Sequence, residues 1–244
     1  MLSKVDLVFP DWPAPAKVKA IQTTRNGGFS LSHYRSLNLG AHVQDDPLIV
    51  AQNRQLLGQY LPSEPVWLNQ VHGVDVIDAA KSQCVQDADA AFTTQKNVVC
   101  VTMTADCLPV LLCDQQGVVV AAVHAGWRSL CDGVIEATVQ KMGVAAQDLM
   151  AWLGPAIGPQ AFEVGAEVRA AFIAQDPQAE KAFQASGEKW LGDLYGIAKQ
   201  RLANVGVGAV YGGGECTFNQ VDKYFSFRRD GATGRMASLI WLES

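Results

Sequence analysis

The sequence predicts an α/β or α+β domain, a mixed β-sheet flanked by helices, and three observations carry that prediction. Apolar runs of strand length, several rich in β-branched residues, recur at 98–103, 108–113, 118–123, 149–153 and 236–241. Leu130, Val134, Thr138 and Met142 recur every four residues, the spacing of one buried helix face. Strands and helices interleave through all 244 residues with no strict βαβ period, no linker and no internal repeat, which argues for a single domain over 1–244.

In chain order, residues 5–9 and 17–24 read as strands separated by a proline-rich bend. Arg25-Asn26-Gly27-Gly28 then reads as a turn that presents an arginine. A loop of small and polar groups carrying Asn38 and His42 follows. Asp46 caps a helix with Pro47 at its first position, reaching about Leu61 with Val50, Leu57 and Leu61 on the core face. Short strands at 66–68 and 74–77 flank Asn69-Gln70-Val71-His72-Gly73, and the acids of 87–90 (DADA) read as a solvated turn. The strand at 98–103 feeds directly into Asp106 and Cys107. Beyond the next two strands, a helix over 129–142 is closed by Gly143. Strand 149–153 ends in a rigid Gly-Pro turn, and helices at 165–174 and 191–205 bracket a polar surface excursion at 175–190. Gly212, Gly213 and Gly214 lack the spacing of a dinucleotide fingerprint or a P-loop. Residues 225–227 and 236–241 read as a C-terminal hairpin with Arg228 and Arg229 in its turn region.

Composition narrows the function classes. A net charge of −5 and a pI near 5.3 argue against a nucleic-acid partner, because neutralising phosphates needs a basic face. No apolar run approaches the ~18 residues of a membrane span, and the first residues lack a basic segment followed by a long apolar core. The six cysteines form no C-x-x-C pair and read as reduced thiols. The expectation is a soluble, cytoplasmic protein without a membrane partner.

The chemistry concentrates at 102–128. The runs 108–113 and 118–123 are joined by Asp114-Gln115-Gln116-Gly117, a sequence suited to a type I turn. A hairpin about that turn places Cys107 opposite His124, or one step off if a glycine bulge intervenes. A thiolate and an imidazole that close can share one metal ion. A lone cysteine or histidine beside apolar strands is more often a core residue, and it is the company that raises the case. His124 precedes Ala125-Gly126-Trp127-Arg128, a strand-to-helix turn of the kind that favours anions. Of the other histidines, His33, His42 and His72, only His72 lies in a short glycine-bounded turn between strands. Three protein ligands with one open position is the pattern of catalytic zinc, although a single sulfur also suits copper. Cys107 as a nucleophile with His124 as its base is the weaker alternative, since nothing near it marks a protease elbow.

Several long segments carry a resemblance: NQVHG at 69–73, DADA at 87–90, TADCLPVLL at 104–112, AAVHAGWRS at 121–129, GPAIGPQAFEVG at 154–165 and FSFRRDGATGRMASLIWL at 225–242. Together they resemble the YfiH-type family, once described as laccase-domain polyphenol oxidases and now regarded as purine nucleoside phosphorylases. The resemblance implies a zinc ion, one per chain, on His72, Cys107 and His124. It implies phosphorolysis of adenosine, inosine and methylthioadenosine, with inorganic phosphate as co-substrate, and hydrolytic deamination of adenosine. Arg25 and Arg228 are then candidates for phosphate or ribose contacts, with Asn38 and Gln70 as further substrate contacts. The cytidine-deaminase signature is absent, so Asp106, next to Cys107, is the candidate acid/base. A copper-dependent polyphenol oxidase and a peptidoglycan-editing factor are the alternatives.

Overall fold

Leu108–Asp114 is buried along its whole length, and that single strand explains the architecture of the protein. In the computed structural model, which describes residues 2–244, alternate side chains of this strand enter two different cores. Leu108, Val110 and Leu112 pack with Val123, Leu149 and Ala151 against helices, while Leu111 and Cys113 pack with Val120, Met150 and Trp152 against a second sheet. A strand covered on both faces reads as a continuous apolar run, because no position needs to be polar.

The larger sheet has six strands in the order 209–212, 149–153, 108–114, 120–125, 90–93 and 76–78. It is mixed: the two outermost pairings are parallel and the inner ones antiparallel. The second sheet has four antiparallel strands in the order 7–8, 18–23, 236–242 and 100–104. Helices Val134–Met142, Ala166–Gln175 and Leu194–Asn204 contribute to the core on the outer face of the six-stranded sheet. The outer face of the four-stranded sheet, with Ile21, Val101, Leu239 and Trp241, is closed by Leu37, Leu39 and helix Pro47–Gly58 through Leu57. As expected, Asp46 caps that helix, its carboxylate accepting from Leu48 N–H at 2.8 Å. The result is the expected mixed α/β class, with two stacked main sheets and two small ones where one sheet was expected.

Four elements depart from expectation, the first through contacts distant in sequence. Met236–Leu242 does not pair with 225–227; it lies between Val18–Thr23 and Cys100–Thr104, and Phe227–Asp230 is a short helix. The helix expected at 129–142 is two, Trp127–Asp132 and Val134–Met142, broken at Gly133, which adopts φ +100°. The segment expected as a helix from 191 opens as a strand, Lys189–Gly192, paired with Phe183–Ser186. Val118 belongs to the turn, because the buried Asp114 carboxylate draws it in, accepting from the N–H groups of Gln116, Val118 and Val119.

Candidate metal centre

The chain crosses from the four-stranded sheet to the six-stranded one at Ala105-Asp106-Cys107, between strands Cys100–Thr104 and Leu108–Asp114. Val118 and Val119 both join the loop and shift the hairpin by two, so His124 pairs with Pro109 and Cys107 falls two residues from direct opposition. An even shift keeps side chains on the same face of a sheet, whereas an odd one would have separated them. Cys107 and His124 therefore still converge at the sheet end.

His72 arrives from the turn between strands Leu68–Asn69 and Val76–Asp78, with φ +60°. Its Nε2 stands 3.8 Å from Cys107 Sγ, and its ring lies edge-on to His124 with centroids 4.8 Å apart. One donor atom from each of His72, Cys107 and His124 lies within 4.8 Å of the others. Donors sharing a tetrahedral zinc stand roughly 3.4–3.6 Å apart, so small side-chain movements suffice. The backbone leaves room for the group: a Cβ on Gly126 would meet His72 Cδ2 at 2.7 Å, and Cys107 Sγ and His124 Cε1 at 3.3 Å.

Asp89 organises this cluster. It is fully buried and its Oδ1 lies 2.7 Å from His124 Nδ1. The same carboxylate accepts from the backbone N–H groups of Val71, His72 and Gly73 at 3.2, 3.0 and 2.6 Å. One side chain thus fixes the turn that carries the first histidine and the ring of the second. With Nδ1–H donated to Asp89, Nε2 of His124 is left to ligate, the tautomer control found behind many metal-bound imidazoles. Burial alone would raise the Asp89 carboxyl, but His124 and the backbone donors hold it below its usual value. Burial likewise raises the Cys107 thiol, yet the His124 and His72 imidazoles overcome this and hold it near 6. Burial disfavours the His124 cation, and Cys107 and Asp89 outweigh it, raising that group to about 9. A metal ion takes the thiolate as it stands and must displace the proton that this raised value leaves on His124. DADA, read as a solvated turn, supplies the buried acid instead; a histidine at a buried strand end was the one sign that such a partner was needed.

Two cavities meet at Cys107. One, of about 310 Å³, is lined by His72 and His124 together with His42, Gln70, Thr104 and Arg235. The other, of about 150 Å³, is apolar and walled by Trp127, Ile157, Phe162 and Leu194, with Asp106 and Arg228 at its edge. Phe227 and Ala105 line both. Burial, Arg235 and Arg54 depress the His42 pKa, which favours a neutral imidazole.

The other expected site residues divide. Gln70 lines the cavity of His72 and His124, and both ends of its amide are held by the backbone of Met103. Asn38 is fully buried with its amide committed: Nδ2 donates to Gly40 O and Asp45, and Oδ1 accepts from Gly40 and Arg235 N–H. It lines neither cavity at Cys107; it anchors Arg235, which does line one. Arg25 lines a separate surface cavity of about 660 Å³, where its guanidinium donates to the carbonyls of Arg35 and Val221. Arg128 is exposed, stacks over the Trp127 ring at 4.4 Å and lines neither cavity at Cys107. Arg228 reaches the apolar cavity but donates to Glu163 O at 2.8 Å. Asp106 adopts φ +92°, and both its oxygens are taken, by Thr217 Oγ1, Ser226 Oγ and Arg228 N–H. Three of its roughly four acceptor sites are thus already occupied, which suits a positioning role. Arg235, which sequence reasoning passed over, lines the same cavity as His72, Cys107 and His124; its only sign was an arginine opening a buried strand.

Comparison with known proteins places this geometry. The family described as "Multi-copper polyphenol oxidoreductase laccase" matches residues 19–243. A Shigella flexneri protein named purine nucleoside phosphorylase YfiH is 54% identical over 97% of this chain and 98% of its own. A purine nucleoside phosphorylase of Pseudomonas aeruginosa is 53% identical over 96% of this chain and 97% of its own. A Neisseria meningitidis crystal structure of the DUF152 family superposes with a TM-score of 0.95 at 51% identity, covering 98% of this chain and all (100%) of that one.

Proposed function

The chain belongs to this laccase-like, YfiH-type family, and from that premise we propose that it is a zinc-dependent purine nucleoside phosphorylase that also deaminates adenosine. The observation that carries the reading is the His72–Cys107–His124 set with Asp89 behind it, opening onto a cavity that also holds a cation and a free hydroxyl. Close relatives named for purine nucleoside phosphorolysis support the same chemistry. No helix among the described residues is long and apolar enough to cross a membrane.

Phosphorolysis joins a phosphate oxygen to the sugar C1′ as the C1′–N9 bond breaks, with the bonding pair and a proton passing to the purine. The chain's task is to hold an anion against an electron-poor sugar carbon, which arginine does well through paired N–H groups. Arg235 is the residue we assign to it. Its backbone is fixed by Asn38, while its Nη1 donates to Thr233 O and Gly234 O. Thr104 lines the same cavity with a buried hydroxyl that has no partner, a donor suited to a further phosphate oxygen. Zinc held by His72, Cys107 and His124 would supply Lewis acidity in this cavity. Asp106 has a positioning role in this scheme.

The family's description keeps copper in view. Among the described residues, however, one three-residue cluster of this kind is present, whereas four-electron reduction of oxygen draws on several copper centres. Chromatography of adenosine incubated with and without inorganic phosphate tests the proposal. Adenine and ribose 1-phosphate are expected only with phosphate, and inosine in both. Adenine released equally without phosphate would mean a hydrolase, and copper exceeding zinc in elemental analysis would favour the oxidase.

A further inference from the structure

Phe227 contradicts the economy of the rest of the core. It is 59% exposed, although it stands where the two cavities at Cys107 meet and lines both. Its backbone is not free to turn away. Asp106 accepts from Ser226 Oγ on one side of it and from Arg228 N–H on the other, at 3.0 and 2.6 Å, and Ser226 also caps the short helix that Phe227 begins. A large apolar ring is thus fixed beside Cys107 at the junction of the two cavities, with a surface that a ligand there would cover.

The two cavities differ in what they can take. The larger carries Arg235, His42 and the metal ligands, groups suited to phosphate and sugar. The smaller is walled by Trp127, Ile157, Phe162 and Leu194. Its one cation, Arg228, is committed to a backbone carbonyl. We propose that Phe227 is the platform on which the purine base stacks, with the base in this apolar lobe and the glycosidic bond at the junction beside Cys107. The inference rests on the nucleoside reading of the metal centre. Every base has a π-face, so stacking alone tolerates different purines.

The test uses inosine, which cannot be phosphorolysed without phosphate, so calorimetry on the zinc-loaded protein reads binding alone. Phe227→Ala should weaken inosine binding by about tenfold, within the range that base–aromatic stacking supplies. With phosphate present, KM should rise far more than kcat falls, while zinc content and circular dichroism stay as in the wild type. Phe227→Tyr should restore binding and Phe227→Leu should not, since leucine fills space without offering a π-face. Unchanged affinity in Phe227→Ala, or full recovery in Phe227→Leu, overturns the stacking role. If the wild type neither binds inosine nor turns it over, the nucleoside reading itself fails, an outcome distinct from a wild type that binds and an alanine variant that binds equally well.

Discussion

Asp89 and Asp106 are both buried carboxylates near Cys107, and every oxygen of each is engaged by donors, but the donors differ in kind. Asp89 faces three backbone N–H groups and the Nδ1 of His124. Asp106 faces two hydroxyls and one backbone N–H. A backbone N–H can only donate, whereas a hydroxyl rotates and donates or accepts as its partner requires. The ligand side of the site is therefore built so that only a carboxylate fits, and the substrate side so that its carboxylate has some tolerance. That difference sets the order of the effects expected from mutation.

The largest effect should come from the ligand that both sides converge on. Cys107→Ala leaves two imidazoles, so near-complete loss of zinc and of both nucleoside activities is expected. The fold should persist, because the three cores are closed without the site. Zinc content, circular dichroism and adenosine turnover on this one variant check it; a folded protein with normal turnover would remove the metal from the scheme.

Asp89→Asn comes next. Wherever the new amide NH₂ points, it meets N–H groups: His72 and His124 on one side, Val71 and Gly73 on the other. Only His124 could yield, by moving its proton to Nε2, and that nitrogen would then no longer ligate. Zinc affinity should fall roughly 10- to 100-fold, and the unsatisfied donors should cost about 1–3 kcal/mol of stability. Competition with a chelator and denaturant melts measure the two losses separately. Retention of wild-type zinc affinity would mean that Asp89 does not control the His124 tautomer.

The same comparison shows what a sequence can and cannot disclose. His72, Cys107 and His124 were legible because each sits at or close to a strand end, and strand ends are where side chains converge. Asp89 was not, because its meaning lies in a partner 35 residues away, and an acid in a DADA turn looks solvated when that partner is unseen. Arg235 was hidden for a related reason. The strand Met236–Leu242 that it precedes was expected to fold back on 225–227, and only its pairing with Val18–Thr23 and Cys100–Thr104 carries the arginine to the cavity. Local chemistry, such as the Asp46–Pro47 helix start, reads directly from sequence. Register between distant strands does not, since period-2 patterning fixes which face a residue takes but not its neighbour.

Asp106→Asn should have the smallest effect, although its neighbour is the ligand Cys107. The amide oxygen can replace the carboxylate oxygen that accepts from Ser226 and Arg228 N–H. The NH₂ then faces Thr217, whose hydroxyl rotates to accept. What is lost is the extra strength of bonds to a charged acceptor, so stability should fall by no more than about 1.5 kcal/mol. Zinc content should match the wild type, and phosphorolysis should stay within a few-fold, because the Ser226–Arg228 segment and the Phe227 ring remain in place. Deamination is the sensitive readout. If Asp106 only positions that segment, deamination and phosphorolysis fall together and slightly. If deamination alone collapses while zinc, fold and phosphorolysis hold, Asp106 is the acid/base that its place beside Cys107 first suggested, and its hydrogen bonds must open during the reaction.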